Sequence, residues 1–443
     1  MKKAFLALLV LAASVLAGPP PHLAIRNARI IPVSGPVIEK GTVLVRNGLI
    51  EAVGTNVTVP AGVWVIEGDA LTVYPGLIDA LSSAGLPQPS SGNRGSASGP
   101  ATPPQTARAW GPEDRPGTTS WQKAIDLFKP TEASVAAARN MGFTTAVVFP
   151  TSGIAAGQGS AVQLGGEHAG AMVLEPSVGQ YLTMQPTGPA AGYPSSLMGV
   201  IAYLKQLYLD AGQYAKAKQL YAENPKGLAR PTYDRALEGI LASPRVLLPA
   251  DRSIHITRMI ALSKNLGQPL VIYGGAEGYN AVSALQASNT PVLVNLKWPE
   301  APADRDPNTE DSLTTLTLRA KAPTTPATLA KGSVKFALYT GGIEKAADLQ
   351  SSVQRALDAG LSREDLIRAL TLSPAEIFGL SDRLGSIEPG KIANLVVTKG
   401  ELFGKDSKIE HVFIDGVKYE PKPESPRRGP GASNSATEEG DRQ

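Results

Sequence analysis

The sequence predicts an α/β protein, a (β/α)8 barrel joined to a small β-sandwich built from both chain ends. Three observations carry this. Residues 73–384 alternate short apolar runs with helical stretches, the rhythm of strands joined by crossover helices. Residues 23–72 and 385–420 instead read as closely spaced strands separated by hairpin turns. The length of 443 residues suits one large barrel with an appendage.

The elements follow in order. Lys2 and Lys3 precede an apolar run, Ala4 to Leu16, and Val15-Leu16-Ala17 has the small residues of a cleavage site. Residues 1–17 therefore read as a signal peptide, and the mature chain as exported, periplasmic or secreted. No other run reaches about 18 apolar residues, so no membrane span is expected after its removal. Leu23–Ile31 alternates as a strand closed by Pro32, and Gly41–Arg46 and Leu49–Gly54 flank the tight-turn pair Asn47-Gly48. Val63–Glu67 is a further strand, and Ala393–Thr398 and Ile409–Ile414, the latter ending at Asp415-Gly416, repeat the pattern late in the chain. Residues 23–72 plus 385–420 form the composite sandwich.

Within 73–384, a helix over Glu132–Met141 precedes the strand Thr144–Phe149. Arg245–Leu248 precedes a helix over Ile254–Asn265, and Pro269–Tyr273 precedes one over Gly278–Ala287. Pro291–Leu296 and Val334–Tyr339 complete a parallel, TIM-like barrel. Ser362 with Asp365, and Ser373-Pro-Ala-Glu376, read as helix starts with serine at the N-cap. Residues 86–118, rich in Pro, Gly and Ser, predict a long loop after the first barrel strand, and 421–443 a disordered tail.

Composition removes several function classes. A net charge of +3 gives no reason to expect nucleic acid or an anionic membrane as partner. The absence of cysteine excludes disulfides, thiolate metal sites and a cysteine nucleophile. The glycine-rich run Thr151–Ser160 reads as a loop without the Lys-Ser/Thr of a phosphate cradle, and no Gly-x-Ser-x-Gly elbow occurs.

Val73-Tyr-Pro-Gly-Leu-Ile-Asp-Ala-Leu-Ser-Ser83 resembles the first barrel strand of the amidohydrolase superfamily, where the run continues Asp-Ala-His-x-His. Asn27-Ala-Arg-Ile-Ile31, Gly41–Gly54, Gly142-Phe-Thr-Thr-Ala-Val-Val148, Leu372–Leu380 and Leu384–Val397 resemble further segments of that family, in the same order. Ala250-Asp-Arg252 and Leu270–Glu277 are similar to its imidazolonepropionase-like and dipeptidase-like members. The resemblance implies hydrolysis of C–N or related bonds by a water activated on zinc or another divalent ion, at the C-terminal ends of the barrel strands.

Carried over position by position, the ligands are missing. The two strand-one histidines fall on Leu81 and Ser83, a side chain that cannot bind metal and a poor ligand for zinc. No lysine lies between Lys129 and Lys205 to serve on strand four. The strand-five histidine falls on Pro249, the strand-six ligand on Tyr273 or Gly274, and the strand-eight aspartate on Gly341. The four histidines, His22, His168, His255 and His411, include no pair at metal-binding spacing; His168 and His255 read as surface or capping residues. No metal cofactor is expected.

Two readings follow. In the first, the protein is a degenerate amidohydrolase, a pseudoenzyme that binds a small amide-bearing or zwitterionic ligand, or forms a homo- or hetero-oligomer with an active amidohydrolase. In the second it remains a hydrolase of dipeptide or non-peptide C–N bonds, using atypical ligands such as Asp251, Glu300 and Asp304, or no metal; a purely structural role in the envelope is a further alternative. The pocket candidates are Asp79, Asp251, Arg252, Tyr273, Lys297, Trp298, Glu300 and Thr340. Asp79 reads as support for its strand end, and Asp251-Arg252 as an internal ion pair. Arg252, Lys297, Trp298 and Glu300 are expected to line one pocket under the 86–118 loop.

Overall fold

The computed structural model describes residues 22–87, 115–186, 193–302, 304, 306, 308 and 310–421. The expected signal peptide, most of the 86–118 loop and the tail beyond Pro421 lie outside them.

The chain begins with β1 (His22–Ile30), β2 (Ile38–Arg46), β3 (Leu49–Gly54), β4 (Trp64–Glu67) and β5 (Leu71–Pro75). Strand β1 forks the sheet. Its first half pairs in parallel with β4 and its second half with β5, and Asn27, at φ 59°, stands between the two halves. The β2–β3 turn has positive φ at both Asn47 (50°) and Gly48 (79°). Asparagine and glycine tolerate that conformation, which matches the twist of the flanking strands.

The barrel comprises β6 (Leu77–Ser82), β7 (Phe143–Val148), β8 (Ala155–Gln163), β9 (Val173–Leu182), β10 (Val246–Ala250), β11 (Leu270–Gly274), β12 (Val292–Asn295) and β13 (Phe336–Tyr339). They pair in sequence order from β6 to β13, and the first and last strands meet at a seam without ladder pairing among the described residues. The expected TIM-like barrel is present with one departure. Strand β8 runs antiparallel to both neighbours. The connections 149–154 and 164–172 are too short for a crossover helix, and short links favour antiparallel neighbours. The glycine-rich run expected as a loop supplies the first half of β8, and every residue from Ala155 to Gln163 is buried.

The chain then returns to the first sheet with β14 (Leu395–Lys399), β15 (Lys408–Ile414) and β16 (Val417–Tyr419). Strand β14 pairs antiparallel with β5, so the two chain ends are knitted together as expected. This sheet folds over its own core, which includes Ile25, Val43, Leu395 and Phe413.

Period-two alternation sorts the barrel side chains. Leu247, Val271, Tyr273, Leu293, Ala337 and Tyr339 belong to the lumen cluster. The residues between them, Val246, Leu248, Ile272, Val292 and Leu338, pack against the surrounding helices. Ser362 caps the helix Arg363–Leu370 as predicted, accepting from the Asp365 amide at 3.0 Å. Ser373 does not cap. The last barrel helix starts earlier, at Leu372, so Ser373 is a buried residue of its first turn, and Glu376 pairs instead with Arg368 and Lys335.

Candidate functional site

The positions of interest gather at one rim of the barrel. Leu81 lies near the end of β6 with Ser83 just beyond it, Pro249 lies in β10, Tyr273 and Gly274 end β11, and Gly341 follows β13. These are the C-terminal strand ends, the face on which such barrels place their sites.

Below the rim the lumen is filled by aromatic rings. Phe378 packs against Phe149 at 6.3 Å between centroids, Phe149 against Tyr181 at 5.3 Å, and Tyr181 stacks on Tyr273 at 4.8 Å. Phe378 enters from the opposite face, since Arg245, just before β10, bonds the adjacent Ile377 carbonyl. Gly159 on β8 makes room for the column, because a Cβ there would overlap the Phe149 ring. The Tyr273 hydroxyl donates to the Leu182 carbonyl at 3.0 Å. The Tyr339 hydroxyl lies near the Asn295 side chain, which opposes the rise of its pKa. Burial pushes both phenols far above their usual range, and the charge of Asp251 pushes the same way. They are neutral phenols at physiological pH, not phenolate ligands.

A divalent ion does not fit this donor set. Leu81, Pro249 and Gly341 offer no side-chain donor, and Tyr273 holds its proton. Among the described residues no group of three or more His, Cys, Asp or Glu is arranged to hold a metal ion. Two glycines are also backed by polar neighbours: a Cβ on Gly341, at φ 62°, would overlap the Asn295 amide, and one on Gly274 would overlap the Asp251 carboxylate.

The remaining candidates separate into different environments. Asp79 is buried and accepts from the Thr340 amide at 3.0 Å and the Thr340 hydroxyl at 2.8 Å. Desolvation pushes its carboxyl up to about 6, against these hydrogen bonds. Asp251 is exposed on one side yet crowded on the other, so desolvation raises its pKa while His255 opposes the rise.

Arg252 does not pair with Asp251. It reaches Glu277 at 2.8 Å, and the other oxygen of Glu277 accepts from the Ser253 amide. The expected pocket of Arg252, Lys297, Trp298 and Glu300 is not assembled. The Trp298 indole is buried and donates to the Ser352 carbonyl on the helix Ala346–Asp358, and Glu300 pairs with Arg355 of that helix. Lys297 is exposed. Trp298 lies three residues beyond β12, in a turn in which its amide bonds the Leu296 carbonyl, and its ring joins the outer core. Asp251, Glu300 and Asp304 likewise form no metal-holding group. Sequence reasoning missed Glu277, Asn295, Phe149 and Tyr181. For Tyr181 and Asn295 the strand alternation that points Tyr273 inward was the available signal.

An eight-stranded barrel with its candidate site at the C-terminal rim, and a sheet built from both chain ends, define an amidohydrolase-type protein. The amidohydrolase family pattern matches residues 307–418. An amidohydrolase from Thermotoga maritima MSB8 superposes with a TM-score of 0.73 at 28% identity, covering 89% of this chain and 99% of that one. A Xaa-Pro dipeptidase with bound methionine superposes with a TM-score of 0.53 at 15% identity, covering 90% and 100%, a likeness of fold. A dihydroorotase from Pelobacter propionicus is 40% identical over 58 residues, which span 13% of this chain and 14% of that enzyme. Together these findings support the amidohydrolase superfamily for this chain.

Proposed function

We propose that this protein is an exported, non-hydrolytic member of the superfamily whose barrel serves binding, of a small molecule or of an active relative. One observation carries the reading. The strand ends that would hold the metal bear Leu81, Ser83, Pro249 and Gly341, and an aromatic column fills the space beneath them. Beneath that rim Phe149, Tyr181 and Tyr273 pack as a continuous aromatic column that carries no metal-coordinating group, which supports the reading. Export rests on the N-terminal sequence, a basic pair followed by an apolar run and a small-residue cleavage site.

The test is elemental analysis of the purified, dialysed mature protein, together with assays on Xaa-Pro dipeptides and cyclic amides, the bond types suggested by its relatives. The expected outcome is less than one-tenth of a metal per chain, as a rough bound, and no turnover above background. Stoichiometric metal with turnover would replace this reading by the second, a hydrolase with atypical ligands. Cell fractionation with N-terminal sequencing tests export, with a mature terminus expected near Gly18.

A further inference from the structure

We infer a ligand site outside the barrel lumen, in a groove between the helices Leu197–Glu223 and Ser253–Leu266, that takes an anionic amphiphile. The groove has a volume of about 560 Å³, and the β10 terminus, Pro249–Arg252, contributes to its lining. That volume lies within the usual range for small-molecule sites.

The lining has two chemical parts. Leu197 and Ile201, one turn apart on the first helix, face Met259 and Leu262 on the second, with Met184 beside them. These apolar side chains line open space, and Leu197 remains 51% exposed. Methionine adapts to ligands of varied shape. Around them stand Lys205, Arg258 and His255. Lys205 sits one turn beyond Ile201 on the same face, and His255 one turn before Met259, so each cation borders an apolar neighbour. Lys205 and Arg258 have no ion-pair partner among the described residues. Arg252 also lines the groove but is engaged by Glu277. The one acid, Asp251, faces His255.

Long cationic side chains often lie along apolar helix surface and cover it. Here they do not, since the groove stays open between them. An apolar floor with unpaired cations at its edge selects a molecule with an apolar body and an anionic head. A carboxylate or sulfonate can be met by Lys205 and Arg258 with charge-assisted hydrogen bonds. A neutral amphiphile leaves those charges unmatched, and a cationic one is repelled. The site stands whether or not the barrel hydrolyses anything.

The test uses decanoate as the probe, titrated by calorimetry into the full mature protein, with decanol and decyltrimethylammonium as the matched neutral and cationic chains. Saturable binding of decanoate is expected, about tenfold or more tighter than either matched chain. The exposed double variant Lys205→Gln/Arg258→Gln should lose about tenfold in affinity, and Ile201→Asp should lose it as well, while Lys297→Gln on the rim should not. Circular dichroism of each variant establishes that it is folded. No saturable binding, equal binding of decanol, or a double glutamine variant that binds as tightly as the parent overturns the inference.

Discussion

Asp79, on the first barrel strand, receives both the amide and the hydroxyl of Thr340, which follows the last strand. The two residues are 261 apart in sequence and face each other across the seam that lacks ladder pairing. A single buried carboxyl thus joins the strands that backbone hydrogen bonds leave apart.

That clasp predicts a pH dependence. The folded protein holds the Asp79 proton at about 6, against 3.8 for an unperturbed aspartate. The folded state binds the proton more tightly, so stability from this group is fully present below pH 3.8 and is lost as pH rises through about 6. The loss is on the order of 3 kcal/mol. Urea denaturation of parent and Asp79→Asn between pH 4 and 7.5 should show the stability gap shifting in favour of the neutral variant as pH rises. Profiles that run parallel would refute it.

Thr340→Val tests the same contact from the other side. It removes the hydroxyl donor and leaves a carboxylate oxygen buried without it. The cost should be about 1–3 kcal/mol, larger at pH 7.5, where Asp79 is ionised, than at pH 5. A cost independent of pH would mean that the hydroxyl does not answer the charge.

Rebuilding a metal site should fail. Leu81→His and Ser83→His supply two nitrogens, but Gly341→Asp must hold φ 62° and overlap Asn295. The backbone strain alone costs about 1–3 kcal/mol. The triple variant should be less stable than the parent and without hydrolysis of Xaa-Pro dipeptides. Turnover of even about one per second would contradict the packing of this rim.

The aromatic column depends on Gly159. Gly159→Ala places a methyl against the Phe149 ring and should destabilise by about 1–3 kcal/mol, as overpacking does. Adding Phe149→Leu should recover part of that loss. A double-mutant cycle by thermal denaturation measures the coupling, and additive costs would show the two sites to be independent.

Arg115 holds Asp210 at 2.8 Å and Asp234 at 3.2 Å, and buried Asp234 also caps the helix Arg235–Ala242 through the Ala236 and Leu237 amides. Arg115→Ala should cost about 3 kcal/mol by leaving that carboxylate unpaired. Asp234→Ser in the same background keeps a cap without a charge and should restore part of the stability. If the double variant is no more stable than Arg115→Ala, the cost has another origin.

Local chemistry determined much of this molecule. Alternation along β1, β2, β3 and β15, the pairs Asn47-Gly48 and Asp415-Gly416, and the Ser362 cap each act within a few residues, so their outcome is legible in the chain. The residue types at Leu81, Pro249 and Gly341 are legible for the same reason, since a side chain that cannot coordinate does not acquire donors by folding. What fills the barrel lumen was decided only in three dimensions. Tyr181 and Tyr273 come from two strands, Phe149 from the residue after a third and Phe378 from a helix, and nothing local joins them. The direction of β8 was set by connections too short to cross over. Trp298 and Glu300 turned to the Ala346–Asp358 helix because Ser352 and Arg355 lay there to receive them. The Asp79–Thr340 bond belongs to the same class: barrel closure alone brings a carboxyl on the first strand to a hydroxyl after the last.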